Sequence, residues 1–152
     1  MTRLNQDIKD FLACLSLAKV EYLVVGAYSL AAHGYPRAIG DINFWINPTP
    51  ENAERIISAL QCFTSPLQLS AKDFLDANIV VQLGVAPNRI DLLTSLDGLH
   101  FDDAWRNKLT LTIDGVPVFV LSKEDLLTNK LATGRDKDQS DIRWLMKQLG
   151  TS

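Results

Sequence analysis

Between Asn5 and Ala18, apolar residues fall at Ile8, Phe11, Leu12 and Leu15, the spacing of one helical face, with Asp7, Lys9 and Asp10 opposite. This amphipathic helix has one face to lay against a sheet. Val20 to Val25 is short, apolar and rich in β-branched residues, and it halts at Gly26, which reads as a buried strand followed by a turn. Gly26-Ala27-Tyr28-Ser29 then opens a short helix through Leu30 to His33, ended by Gly34 with Pro36 beyond. After a Tyr35-Pro36-Arg37 loop, Asp41 to Ile46 reads as a second strand. Thr49 and Pro50 are suited to cap and start a helix running to about Cys62 and burying Ala53, Ile56, Ile57 and Leu60.

Ser65 to Ser70 lacks periodicity, and Ala71 to Asp76 predicts one or two helical turns. Ile79 to Val85 and Arg89 to Leu93 pair as antiparallel strands around a turn at Ala86-Pro87-Asn88. Leu99 to Asn107 reads as a short helix. Leu109 to Ile113 and Val116 to Val120 form a hairpin about Asp114-Gly115. Ser122 and Asp125 have capping-box spacing at the start of a helix expected to bury Leu126, Leu127 and Leu131 and to end near Gly134. A last helix, about Lys137 to Leu149, carries Ile142, Leu145, Met146 and Leu149 on one stripe. Trp45, Trp105 and Trp144 are expected in the core or at an interface.

Composition narrows the function classes. The 152 residues, 47% hydrophobic and 22% charged, match one soluble domain. A net charge of −3 and a pI near 5.3 give no net-charge signal for nucleic acid, so any polyanion site must be local. No apolar run reaches the ~20 residues that span a bilayer, and the start lacks a secretory pattern, so no membrane association and a cytoplasmic location are expected. Cys14 and Cys62 lie far apart among apolar residues, with no CxxC pairing. They are expected to be unpaired core thiols.

The chemistry concentrates between Tyr22 and Ile46. Gly26 can adopt backbone angles closed to other residues, and the first amides of the following helix lack internal partners, which suits phosphate. On the next strand Asp41 and Asn43 share a face, roughly 6–7 Å apart. Asp91 interrupts an apolar strand, where a carboxylate needs a cation or donors around it; the alternative is an edge strand facing water. If the strands of Asp41 and Asp91 adjoin, the two lie about 5 Å apart between Cβ atoms. Such a set suggests Mg²⁺ beside a triphosphate, since Mg²⁺ favours hard oxygen ligands and bridges carboxylates to phosphates.

These residues carry a resemblance. Gly26 to Arg37, then Asp41-Ile42-Asn43, then Arg89-Ile90-Asp91-Leu92-Leu93, resembles the polymerase-beta-like nucleotidyltransferase superfamily. The stretch IDGVPVFVLSKEDLLTNKLATGRDKDQSDI extends the likeness over nearly the whole chain, nearest to small bacterial AbiEii-like and minimal nucleotidyltransferases. The resemblance implies an α+β fold, a mixed β-sheet flanked by helices. It also implies a site in which a glycine turn binds phosphates and three acids bind metal. Carried over by position, Gly26 and Ala27 form the turn, and Asp41, Asn43 and Asp91 are the metal and catalytic positions. Ser29 is expected to add a hydroxyl contact, and Arg37 to reach a phosphate or carboxylate. Lys130, Arg135 and Lys137, beside Asp138, either clamp a triphosphate tail or form a salt-bridged surface. His33 is assigned to capping or packing.

Three positions depart from the family pattern. Ala27 keeps its backbone amide but would be strained at positive φ. Asn43 removes a charge and leaves the acidic triad incomplete, and Ile39 replaces a hydroxyl residue. The implied activity is Mg²⁺-dependent transfer of NMP from an NTP to a hydroxyl of a protein, RNA or small molecule. The alternative is a degenerate relative that works by binding, as a partner protein in a toxin–antitoxin pair. A dinucleotide-binding fold is disfavoured because no G-x-G-x-x-G follows the first strand.

Overall fold

A computed structural model describes residues 4–35, 40–64, 68–85 and 88–150. The strands are β1 (Tyr22–Val25), β2 (Ile42–Ile46), β3 (Val80–Leu83), β4 (Ile90–Leu93), β5 (Leu109–Ile113) and β6 (Val116–Val120). The helices are α1 (Gln6–Leu17), α2 (Ala27–Ala32), α3 (Pro50–Phe63), α4 (Phe101–Asn107), α5 (Lys123–Thr133) and α6 (Gln139–Gln148). Single 3-10 turns cover Ala71–Phe74 and Asp136–Asp138. One six-stranded mixed sheet runs in the order β3-β4-β2-β1-β6-β5. β1 is antiparallel to β2 and parallel to β6, and β2 is parallel to β4.

Local chemistry sets the element ends. Asn5 caps α1 by accepting from the Ile8 amide, Thr49 caps α3 ahead of Pro50, and Ser122 caps α5 by accepting from the Asp125 amide. The strand period of two then sorts side chains onto two faces. Ile42, Phe44 and Ile46 pack against Ile8, Phe11, Ile56 and Leu60 of α1 and α3. Leu23, Val25 and Trp45 pack with Leu30, Phe101, Leu126 and Leu145 on the other face. Asn52 joins the layers: its amide oxygen accepts from the Glu21 amide at 2.7 Å, and its Nδ2 donates to the Glu21 and Asn47 carbonyls. A buried polar side chain is thereby satisfied.

Two expectations are corrected, and the edge-strand alternative for Asp91 is set aside. Cys14 and Cys62 form a disulfide that ties α1 to α3 at a Cα separation of 5.8 Å, and Cys62 is exposed rather than core. Their pairing depends on how the two helices pack, which no spacing along the chain reveals. Leu131 is 56% exposed, while its neighbour Lys130 is buried. The ionic partners of Lys130 lie in the following turn and in α6, and they fix that face of α5 inward. The strand holding Asp91 is interior, between β3 and β2, rather than an edge. No helix among the described residues is long and apolar enough to cross a membrane.

Candidate functional site

The site forms where β1 ends and β2 and β4 begin. Register places Val25 opposite Asn43, and Asn43 opposite Asp91. Gly26 caps α2 at φ +73°, and a Cβ built there would lie 2.9 Å from the Asn43 amide nitrogen. Glycine is therefore required twice, by the backbone angle and by the close approach of Asn43. The positive φ falls on Gly26, and Ala27 is the first residue of α2, so the strain considered for Ala27 does not arise.

Asp41 and Asp91 converge on Arg89. The Arg89 guanidinium forks onto Asp91, with Nε donating to Oδ1 at 2.7 Å and Nη2 to Oδ2 at 3.1 Å. The same Nη2 lies 3.1 Å from Asp41 Oδ2, and the Arg89 backbone amide donates to Asp41 Oδ1 at 3.1 Å. All four carboxylate oxygens thus meet Arg89. Hydrogen bonding to Asp91 is the main cause of a raised Arg89 pKa, reinforced by the charges of Asp91 and Asp41 and opposed by desolvation. A sequence signal for this contact existed: Arg89 and Asp91 stand at i and i+2 on one strand, hence on one face, and arginine and carboxylate match as two forks.

The donor set agrees with a hard divalent cation in type, with two carboxylates and a neighbouring amide. Among the described residues no group of three or more His, Cys, Asp or Glu converges to hold a metal. Asp41 and Asp91 would hold such an ion, with Asn43 beside them, once the guanidinium is withdrawn.

The other expected site residues sit differently. Ser29 is fully buried and donates to the Gly26 carbonyl at 2.6 Å, so its hydroxyl closes the turn. Arg37 and Ile39 lie outside the described residues. Lys130 Nζ lies 3.2 Å from Asp138 and 3.3 Å from Asp141, and Arg135 Nε lies 2.8 Å from Asp138. The charges of Lys130 and Arg135 are therefore met within the α5–α6 junction, while Lys137 is exposed. Burial acts to raise the Asp138 pKa, but hydrogen bonds from Arg135, Lys130 and Thr133 outweigh it and hold the carboxyl below its ordinary range.

His33 ends α2, and its Nε2 is 2.8 Å from the Leu121 carbonyl, which accepts the ring proton and ties the helix to the end of β6. Tyr35 stacks on Trp144 of α6 at 4.8 Å, holding the start of the Arg37 loop against that helix. A cleft of about 390 Å³ between α1, Tyr22, Arg55, Trp105 and Phe119 opens at the start of β1, whereas Gly26 follows its end.

The mixed six-stranded sheet, flanked by helices and carrying two acids beside a glycine turn, defines a nucleotidyltransferase-like α+β protein. The chain belongs to the family described as nucleotidyltransferase of unknown function (DUF6036), whose model matches residues 1–149. A crystal structure from Thermotoga maritima, of a protein described as a candidate nucleotidyltransferase, is similar in fold. Its TM-score is 0.62 at 20% identity over 93% of this chain and 91% of that one. No individual curated protein matches the sequence significantly.

Proposed function

We propose that the chain is an Mg²⁺-dependent nucleotidyltransferase that moves NMP from an NTP to a hydroxyl acceptor on a protein, RNA or small molecule. One observation carries the reading: Asp41 and Asp91, distant in sequence, meet beside the Gly26 turn closely enough to share one cation. Asp41 and Asp91 would hold the magnesium, which when bound supplies charge neutralisation for the triphosphate and acidifies the attacking hydroxyl. Gly26 carries no side chain, and the Ala27 amide opens α2 directly after it, where a phosphate would meet the main chain. In the transfer, the acceptor oxygen bonds to the α-phosphorus as the bond to pyrophosphate breaks. A carboxylate oxygen of Asp91 takes the acceptor proton.

Calorimetric titration of each of the four NTPs with Mg²⁺ tests the reading. At least one NTP is expected to bind only when Mg²⁺ is present, and Asp41→Ala or Asp91→Ala to weaken it by about tenfold or more. Failure of all four NTPs to bind would overturn the proposal.

A second reading is favoured by Asn43, which brings no charge to the position of the second acid. In it the protein is a catalytically degenerate member of an AbiEii-like branch that binds nucleotide, as one half of a toxin–antitoxin pair.

A further inference from the structure

We propose that Arg89 is a resident cation that keeps free divalent metal off Asp41 and Asp91, and that it yields only to metal arriving with a triphosphate, onto which the guanidinium then moves. This rests on the nucleotide-and-metal reading above. It deepens that reading by fixing the order in which the site fills.

Three features support the exchange. The Arg89 guanidinium holds both oxygens of Asp91 and Oδ2 of Asp41, so an ion entering between the carboxylates takes ligands that the guanidinium now holds. Two cations at one pair of acids also repel each other, and occupancy is mutually exclusive. The second feature is freedom to leave. The Arg89 side chain is 28% exposed and follows a solvent-facing turn in which Gly84, Val85 and Asn88 are exposed. Withdrawal requires no repacking of the core.

The third feature is a destination. A guanidinium drawn away from carboxylates into water loses its forked hydrogen bonds, whereas a phosphate accepts the same fork with the same planar geometry. Free metal must displace Arg89 with nothing offered in return. Metal bound to a triphosphate brings the replacement partner with it. By linkage, a nucleotide that draws Arg89 away raises metal affinity, and metal raises nucleotide affinity by the same factor.

The test is Mn²⁺ binding, followed by electron paramagnetic resonance, to wild type, Arg89→Gln and Arg89→Lys, first without nucleotide and then with ATP, GTP, CTP or UTP in turn. Without nucleotide, Arg89→Gln is expected to bind Mn²⁺ about tenfold tighter than wild type, because one cation has been removed from the pair. Adding Asp91→Asn to Arg89→Gln is expected to cancel that gain. The factor by which nucleotide raises Mn²⁺ affinity is expected to be larger in wild type than in Arg89→Gln. Should Arg89→Gln fail to fold, as judged by circular dichroism, Arg89→Lys decides. Its ammonium keeps the charge but cannot fork, so a smaller gain in Mn²⁺ affinity is expected. Equal Mn²⁺ affinity in wild type and the folded variant would overturn the role of Arg89 while leaving the metal site standing. Absence of Mn²⁺ binding in every protein, with and without nucleotide, would overturn both.

Discussion

Among the described residues a basic side chain sits between two carboxylates in two places, and the two differ in solvent exposure. At the α5–α6 junction the Lys130, Asp138 and Asp141 side chains are 9%, 4% and 3% exposed. At the strand ends the Arg89, Asp41 and Asp91 side chains are 28%, 26% and 11% exposed. Releasing the cation of the buried trio is costly, because both carboxylates would lose a charged partner inside a low dielectric. A trio at the surface can exchange one cation for another, with water screening the intermediate arrangements. The same residue chemistry therefore makes a structural clasp in one place and a candidate binding site in the other.

The largest expected effect lies in the buried trio. Lys130→Ala should cost about 3–5 kcal/mol, because Asp138 and Asp141 lose their shared cation. In a chain of this length that is a fall in Tm on the order of 10 °C by calorimetry, whereas Arg89→Gln should melt close to wild type. A Lys130 variant as stable as an Arg89 variant would break the comparison.

Acid offers a milder probe of the same cluster. The folded-state pKa of Asp138 lies below its ordinary value of 3.8, so its contribution to stability is fully present above that value. It is lost as the pH falls through the lowered folded pKa. Stability measured between pH 5 and pH 2 should therefore fall more steeply in wild type than in Asp138→Asn. Parallel curves would remove Asp138 from the acid limb.

The smallest effect is expected at the exposed trio from Asn43→Asp. Register sets that position opposite Asp91, and a new carboxylate there should raise Mn²⁺ affinity by about a factor of ten or less while Arg89 remains in place. A wild type that already transfers NMP, and is unchanged by this substitution, would exclude the degenerate binding protein.

Much of this comparison was legible along the chain. The periods of two and 3.6 separated strands from helices, and the Thr49 and Ser122 caps marked where two of the helices begin. Gly26 was singled out by its place at a strand end, and Asp91 because a carboxylate interrupts an apolar strand. Arg89 was in plain view two residues before Asp91. Its reach to Asp41 was not, since that contact crosses from β4 to β2. The salt-bridged alternative for Lys130 was legible in its nearness to Asp138, whereas the burial of Lys130 and its second acid, Asp141, depend on how α6 packs against α5.

By itself the sequence determined what local forces decide: which segments are helix or strand, which face of each is apolar, and that Gly26, Asp41 and Asp91 resemble one family pattern, from which Asn43 departs. Only the tertiary structure decided which charges share a cation, that Cys14 meets Cys62, and that Ser29 turns its hydroxyl onto the Gly26 carbonyl. Periodicity and capping act within a few residues, and composition fixes them. Pairing of charges and thiols depends on strand order and helix packing, which bring distant side chains within hydrogen-bond or bonding reach, and burial then determines whether such a pair is fixed or free to exchange.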